Sequence, residues 1–233
     1  PARAFEVPEG LLGILGVETE RISSFLYPGG LVAVHASGRS REAIWQALQR
    51  REVYGTSGPR ILLWFDLLNG PHGAEPMGGE AVLSETPRFR VHAIGAAHQR
   101  PGCPESSLRG LSPERLAKLC RGECFHPAET RSAIVAIEVI RIRPQRFRDE
   151  PVGPLIEDPW KRFECAPDPA GCTVQFEDEE FRSAGRDAVY YVRALQEPTP
   201  AINGANLRTD FDAGGKAVST RPWLRDNCTI RRS

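Results

Sequence analysis

The sequence predicts an α+β protein. A predominantly antiparallel, sandwich-like β module fills residues 59–233, and a single strand–helix unit of the α/β-barrel kind fills residues 1–58. After Gly58, short apolar or alternating runs recur between Pro/Gly-rich loops with few helices among them, which is the pattern of an antiparallel body. Before it, GGLVAVHASGRSREAIWQALQRREVYGTSG (Gly29–Gly58) passes from an apolar strand through a polar loop into a helix. Barrel enzymes present catalytic groups on units of this layout. With 40% hydrophobic and 26% charged residues, the 233-residue chain is long enough to bury a substantial core.

The elements follow in order. Residues 1–28 read as irregular after a short opening helix. LVAVH, Leu31–His35, is a strand entered through Pro-Gly-Gly. In the helix that follows, Ser40 is a natural N-cap and Glu42 suits the positive end of the dipole. Ala43, Ile44, Ala47 and Leu48 form its apolar stripe; Arg50 and Arg51 lie near the negative end, and Gly55 closes the pattern. YGTSG, Tyr54–Gly58, reads as an exit loop. Strands are expected at Ile61–Leu68, closed by Asn69-Gly70, and at Arg88–Ile94, where Phe89, Val91 and Ala93 face one way. Ile134–Arg143 is a longer strand whose polarity changes face midway, so a bulge or twist is expected. Thr173–Phe176 and Ala188–Leu195 complete the strands. One helix interrupts them near 112–120, with Ser112 as cap and Pro113 at the first helical position. The polar tail turns at DAGGK.

Thirty basic residues balance thirty acidic ones, so charge gives no argument for a nucleic-acid partner or an anionic membrane. RIRPQRFR (Arg141–Arg148) and EDEE (Glu177–Glu180) read as solvated faces. The apolar stretch LLGILGV, Leu11–Val17, is too short to span a membrane, which takes roughly 20 residues. It also lacks the flanks of a signal peptide. The chain opens at Pro1 and its sole methionine is Met77, so a longer parent protein is expected.

The chemistry-bearing residues are sparse. The histidines stand at 35, 72, 92, 98 and 126, in no His-x-His or His-Glu-x-x-His spacing. His35 ends a strand and faces a loop leading to a helix, which makes it the best-placed catalytic candidate. Tyr54 and Thr56, with Ser57, are weaker ones in the exit loop. FEDEEF, Phe176–Phe181, concentrates acids without a partner group for acid–base work. The six cysteines, at 103, 120, 124, 165, 172 and 228, point to disulfides and an oxidising compartment. Cys165 and Cys172 flank a Pro-Gly turn that brings them together; Cys103, Cys120 and Cys124 are further candidates. CRGECFH, Cys120–His126, also has zinc-ligand residue types: Cys120, Cys124 and His126 make three, and a fourth would come from Cys103 or elsewhere. Its other reading is disulfides that hold the insertion after the helix.

At SREAIWQALQRREVYGTSGPRI (Ser40–Ile61) the sequence resembles the family named domain of unknown function 3604, relatives of the PHP (polymerase and histidinol phosphatase) metallohydrolases. The resemblance continues through PGCPESSLRGLSPERLAKLCRGEC, IVAIEVIRIRP, EPVGPLIEDPW, DPAGCTVQFEDEEF and GRDAVYYVRALQEPTPAINGANLR, from about Phe25 to Arg208. It implies the C-terminal part of a metal-dependent hydrolase of phosphoesters or other esters, in which residues 1–58 are the last strand–helix unit of a PHP-type barrel. A divalent metal (zinc, manganese or iron) is implied for the full-length parent and no cofactor for this chain, because the family's His-x-His-type and Ser-Asp-Thr-His-type ligand motifs do not occur here. The implied partner is the missing N-terminal barrel, and the implied location is periplasmic or secreted. At its end the chain runs RPWLRDNCTIRRS where the family has a closing strand, which puts that strand in doubt and leaves Cys228 unpaired. The alternative expectation is a periplasmic or secreted β-rich module that binds a saccharide, lipid or protein through Trp64, Trp160 or Trp223.

Overall fold

A computed structural model describes residues 30–199 except 121 and 123, together with the short strands Asp210–Phe211 and Ala217–Val218. Within it, Gly30–Pro101 and Phe125–Pro198 form one compact unit, and the helical stretch Gly102–Cys124 falls in a second. The opening helix, Trp223, Cys228 and the closing strand lie outside the described residues.

Strand β1 (Leu31–Val34) is followed by helix α1 (Arg41–Gln49) and strand β2 (Val53–Thr56). Ser40 caps α1 as its sequence requires, accepting the Ala43 N–H at 3.2 Å. The helix does not wait for Gly55 to end. Arg51 takes the left-handed conformation at φ 61°, and the Arg51 and Glu52 N–H groups bond Leu48 O and Ala47 O. The chain has therefore reversed by Val53, and YGTSG is not simply an exit loop: β2 pairs antiparallel with β1, Ala33 opposite Tyr54.

The body is built from two antiparallel sheets. One has the order β10-β5-β3-β4, from β3 (Leu62–Gly70), β4 (Gly73–Pro76), β5 (Arg88–Ile94) and β10 (Cys172–Glu177). The other has the order β11-β8-β9, from β8 (Ile134–Ile142), β9 (Ile156–Glu164) and β11 (Val189–Gln196). Alternation decides the faces: Phe89, Val91 and Ala93 are buried, while Arg88 and Arg90 are exposed. Leu63, Phe89, Val91, Cys172 and Phe176 of the first sheet share one core with Ile134, Ile137 and Val139 of the second. β6 (Ala97–Gln99) and β7 (Pro127–Arg131) make a separate pair, as do β12 (Asp210–Phe211) and β13 (Ala217–Val218) on either side of DAGGK. All strand pairings among the described residues are antiparallel, so the fold is β-rich α+β.

The bulge expected in β8 occurs against β9, between Val139 and Arg141. Pro159 of β9 lies in the unpaired stretch opposite it, where a residue without an N–H costs the ladder nothing. Gly171, at φ 95°, passes so close to β5 that a Cβ would sit 2.1 Å from the Ala93 carbonyl oxygen. This tight approach seats the Cys165–Cys172 disulfide beside the core. The helices α2 (Glu105–Gly110) and α3 (Pro113–Cys120) make up the insertion, and α4 (Phe181–Ala184) is a single turn after β10.

Candidate functional site

His35, just beyond β1, shares a face of the β1–β2 ribbon with Tyr54, and their ring centroids are 5.5 Å apart. Its Nε2 lies 2.8 Å from Leu63 O. A carbonyl only accepts, so Nε2 carries the proton and Nδ1 keeps the lone pair of the neutral ring. Tyr54 Oη donates to Ile61 O at 2.9 Å, and burial pushes its hydroxyl above the ordinary tyrosine range, so it stays protonated at neutral pH. Thr56, on the same face two residues on, accepts the Gly58 N–H at 3.3 Å. Two of the three candidates thus anchor the ribbon to the backbone at and just before the start of β3, and Thr56 shapes the following turn.

From His35 a row of rings crosses the outer face of the first sheet. Trp64 lies 5.8 Å from His35 and stacks on His92 at 5.2 Å, and His92 Nδ1 is 2.7 Å from Thr173 Oγ1. Register dictates this row, since Trp64, His92 and Thr173 are direct cross-strand neighbours. No local spacing in the sequence reveals it.

The second feature of the unit is the outer side of α1. Ala47 is fully buried, but Ile44, Trp45 and Leu48 are exposed, Trp45 to 57%. With Arg39, Arg41 and Glu42 they line an open groove of about 820 Å³. Leu31 and Val32 of β1 are exposed as well, Val32 to 71%. A second open cleft, about 550 Å³, is walled by Phe181 and Leu83 and carries Arg146, Arg182 and Arg186.

The clusters read from sequence as solvated faces are in part interior. Arg141 is buried, donating to Glu157 through Nε (2.6 Å) and Nη2 (2.9 Å), to Asp178 through Nη1 (2.7 Å) and to Glu180 through Nη2 (2.7 Å). Trp160 covers its guanidinium at 4.2 Å. Burial alone would lower its pKa, but the hydrogen bonds it donates to Glu157, Asp178 and Glu180 outweigh it and hold the charge. Tyr190 Oη donates to Asp178 Oδ2 at 2.6 Å; burial and that carboxylate push its hydroxyl far above the tyrosine range. The partners come from β8, β9, the β10–α4 turn and β11, so sequence distance hid the network. Every charge in it is spoken for, which makes it a tie between strands.

Among the described residues, the metal-type side chains that cluster are Cys103, Cys120 and Cys124, not histidines or carboxylates. Cys103 is bonded to Cys124 and Cys165 to Cys172, both within the candidate set; Cys120 keeps a free thiol. Of the tryptophans offered as ligand platforms, Trp64 is stacked on His92 and Trp160 lies under Arg141.

Residues 12–66 match the family model described as "Protein of unknown function (DUF3604)", a stretch that includes β1, α1, β2 and the start of β3. An uncharacterized protein of Chlamydia pneumoniae is 35% identical over 72 residues, which is 30% of this chain and 12% of that protein's length. The chain thus spans only a small part of this curated relative. No solved structure matches.

Proposed function

We propose that this chain is the β-rich part of a DUF3604 protein whose metal-dependent hydrolytic centre lies in another segment, and that β1 and α1 dock on that segment. The carrying observation is that Ile44, Trp45 and Leu48 of α1 are exposed around one open groove, with Leu31 and Val32 of β1 exposed as well, on the stretch that the family model matches. Exposed aromatic and aliphatic side chains grouped on one helix and its strand mark a surface that a partner covers. The chain's small share of the Chlamydia relative supplies room for such a partner in a longer protein. Its proposed occupant is the PHP-type barrel, with acidic residues opposite Arg39 and Arg41 at the rim of the groove.

In that assembly a divalent metal (zinc, manganese or iron) held outside this chain would supply the water-activating chemistry for hydrolysis of a phosphoester or other ester. His35, just beyond β1, contributes with Nδ1 as the atom left to accept a proton while Leu63 O holds its ring. Two disulfides suit a periplasmic or secreted location. No described helix is long and apolar enough to cross a membrane.

The test assays a generic phosphoester with added zinc, manganese or ferrous iron, comparing this chain with the longer gene product. Metal-dependent turnover is expected from the longer product alone. Turnover by the isolated chain, or none by the longer product, contradicts the reading.

A further inference from the structure

Cys103, Cys120 and Cys124 suit both zinc ligation and disulfide pairing, and the structure brings all three together. Helix α3 ends at Cys120, and the chain then turns through Gly122 at φ 75°, whose N–H bonds Leu116 O at 3.3 Å. That turn folds Cys124 back until its Sγ is 3.4 Å from Cys120 Sγ. The Cys124 N–H donates to Gly102 O at 3.2 Å, which sets Cys103 alongside. All three sulfurs lie within 4.8 Å of one another, and each residue is half-buried, open to reductant and ion. Tetrahedral zinc with Zn–S bonds of about 2.3 Å holds its sulfurs roughly 3.8 Å apart. The trio already occupies a volume of that size.

We propose that the insertion Gly102–Cys124 is a redox-gated thiolate site for one zinc-like divalent cation. In the bonded state the Cys103–Cys124 disulfide closes it. A dithiol reductant opens it by exchange: the sulfur–sulfur bond breaks, both cysteines gain a proton, and the reductant closes to its own disulfide. The cation then displaces three thiol protons and forms three metal–sulfur bonds. Among the described residues no fourth His, Cys, Asp or Glu joins the group, and a tetrahedral ion would have one position beyond these three sulfurs. The site is separate from the hydrolytic metal proposed above, and a cobalt spectrum rather than turnover reports on it.

The test uses the whole 233-residue chain, reduced with a dithiol that is then removed under argon, and titrated with cobalt(II). Expected is a thiolate-to-cobalt charge-transfer band that saturates at one equivalent and is bleached by zinc. Cys120→Ser keeps both disulfides when oxidised, so its fold is checked by melting before reduction; once reduced, it binds cobalt at least tenfold more weakly. Cys165→Ala keeps the band. Four results would overturn the proposal: no band in the reduced chain, equal uptake by the oxidised chain, wild-type affinity in Cys120→Ser, or loss of the band in Cys165→Ala.

Discussion

Arg141 Nη1 donates to Asp178 Oδ1 at 2.7 Å, and both side chains are only 1% exposed. The pair joins β8 of one sheet to the turn after β10 of the other. Two charges taken out of water are held by their mutual bonds and by Glu157, Glu180 and Tyr190.

Removing one member strands the rest. Arg141→Met is expected to destabilise the chain by about 3–5 kcal/mol, because it leaves the Asp178 carboxylate buried without its counter-charge. The double variant Arg141→Met/Asp178→Leu should recover much of that loss. Urea unfolding reads both; a cost below about 1 kcal/mol for the single variant would mean that the network does not tie the sheets.

Acid should loosen the same region. Hydrogen bonds from Arg141 and then Arg143 hold Glu180 below the ordinary carboxylate range, and Arg186, then the Arg146 N–H, do so for Glu150. A carboxylate whose folded pKa is depressed stabilises fully above its unfolded pKa, about 4.3, and loses that contribution as pH falls through the folded value. The melting temperature is therefore expected to drop between pH 5 and pH 3. Glu150→Gln/Glu180→Gln should lower it at pH 7 and flatten the drop; an unchanged slope contradicts the assignment.

Much of this architecture was legible because it is local. The alternation of Arg88–Ile94, the Ser40 cap and the Cys165–Cys172 turn each announce themselves within a few residues, and the structure has all three. What was not legible depends on partners far along the chain. Val53–Thr56 is a strand because β1 pairs with it, although Gly55 lowers its own propensity. Ile156–Glu164 carries Pro159, which argues against a strand until the bulge in β8 makes room for it. Arg141 and Asp178 look like members of charge runs, and only their meeting across 37 residues makes them interior. The candidate site divides the same way: the place of His35 after a strand is legible in the sequence, whereas its neighbours Trp64 and His92 follow only from the register.

Gly171 is expected to tolerate no side chain. Gly171→Ala places a Cβ 2.1 Å from Ala93 O at a backbone angle of φ 95°, so either β5 or the disulfide turn must shift. A loss of roughly 2 kcal/mol or more is expected from the strain. Cys165→Ala/Cys172→Ala removes a short cross-link worth about 2 kcal/mol on the chain-entropy account, plus the core contacts of Cys172. Thermal melts with and without reductant separate the two contributions.

Trp45→Glu isolates the docking face from stability. The side chain is 57% exposed, so the variant should unfold within about 0.5 kcal/mol of wild type. A larger loss would mean that Trp45 packs within this chain and is not waiting for a partner.

The most direct measurement is calorimetric titration of this chain with the separately produced remainder of the proposed longer protein. The account predicts a defined complex that Trp45→Glu and Ile44→Glu each weaken at least a hundredfold, about 2.7 kcal/mol in binding free energy. No association, or association that neither substitution touches, would contradict it.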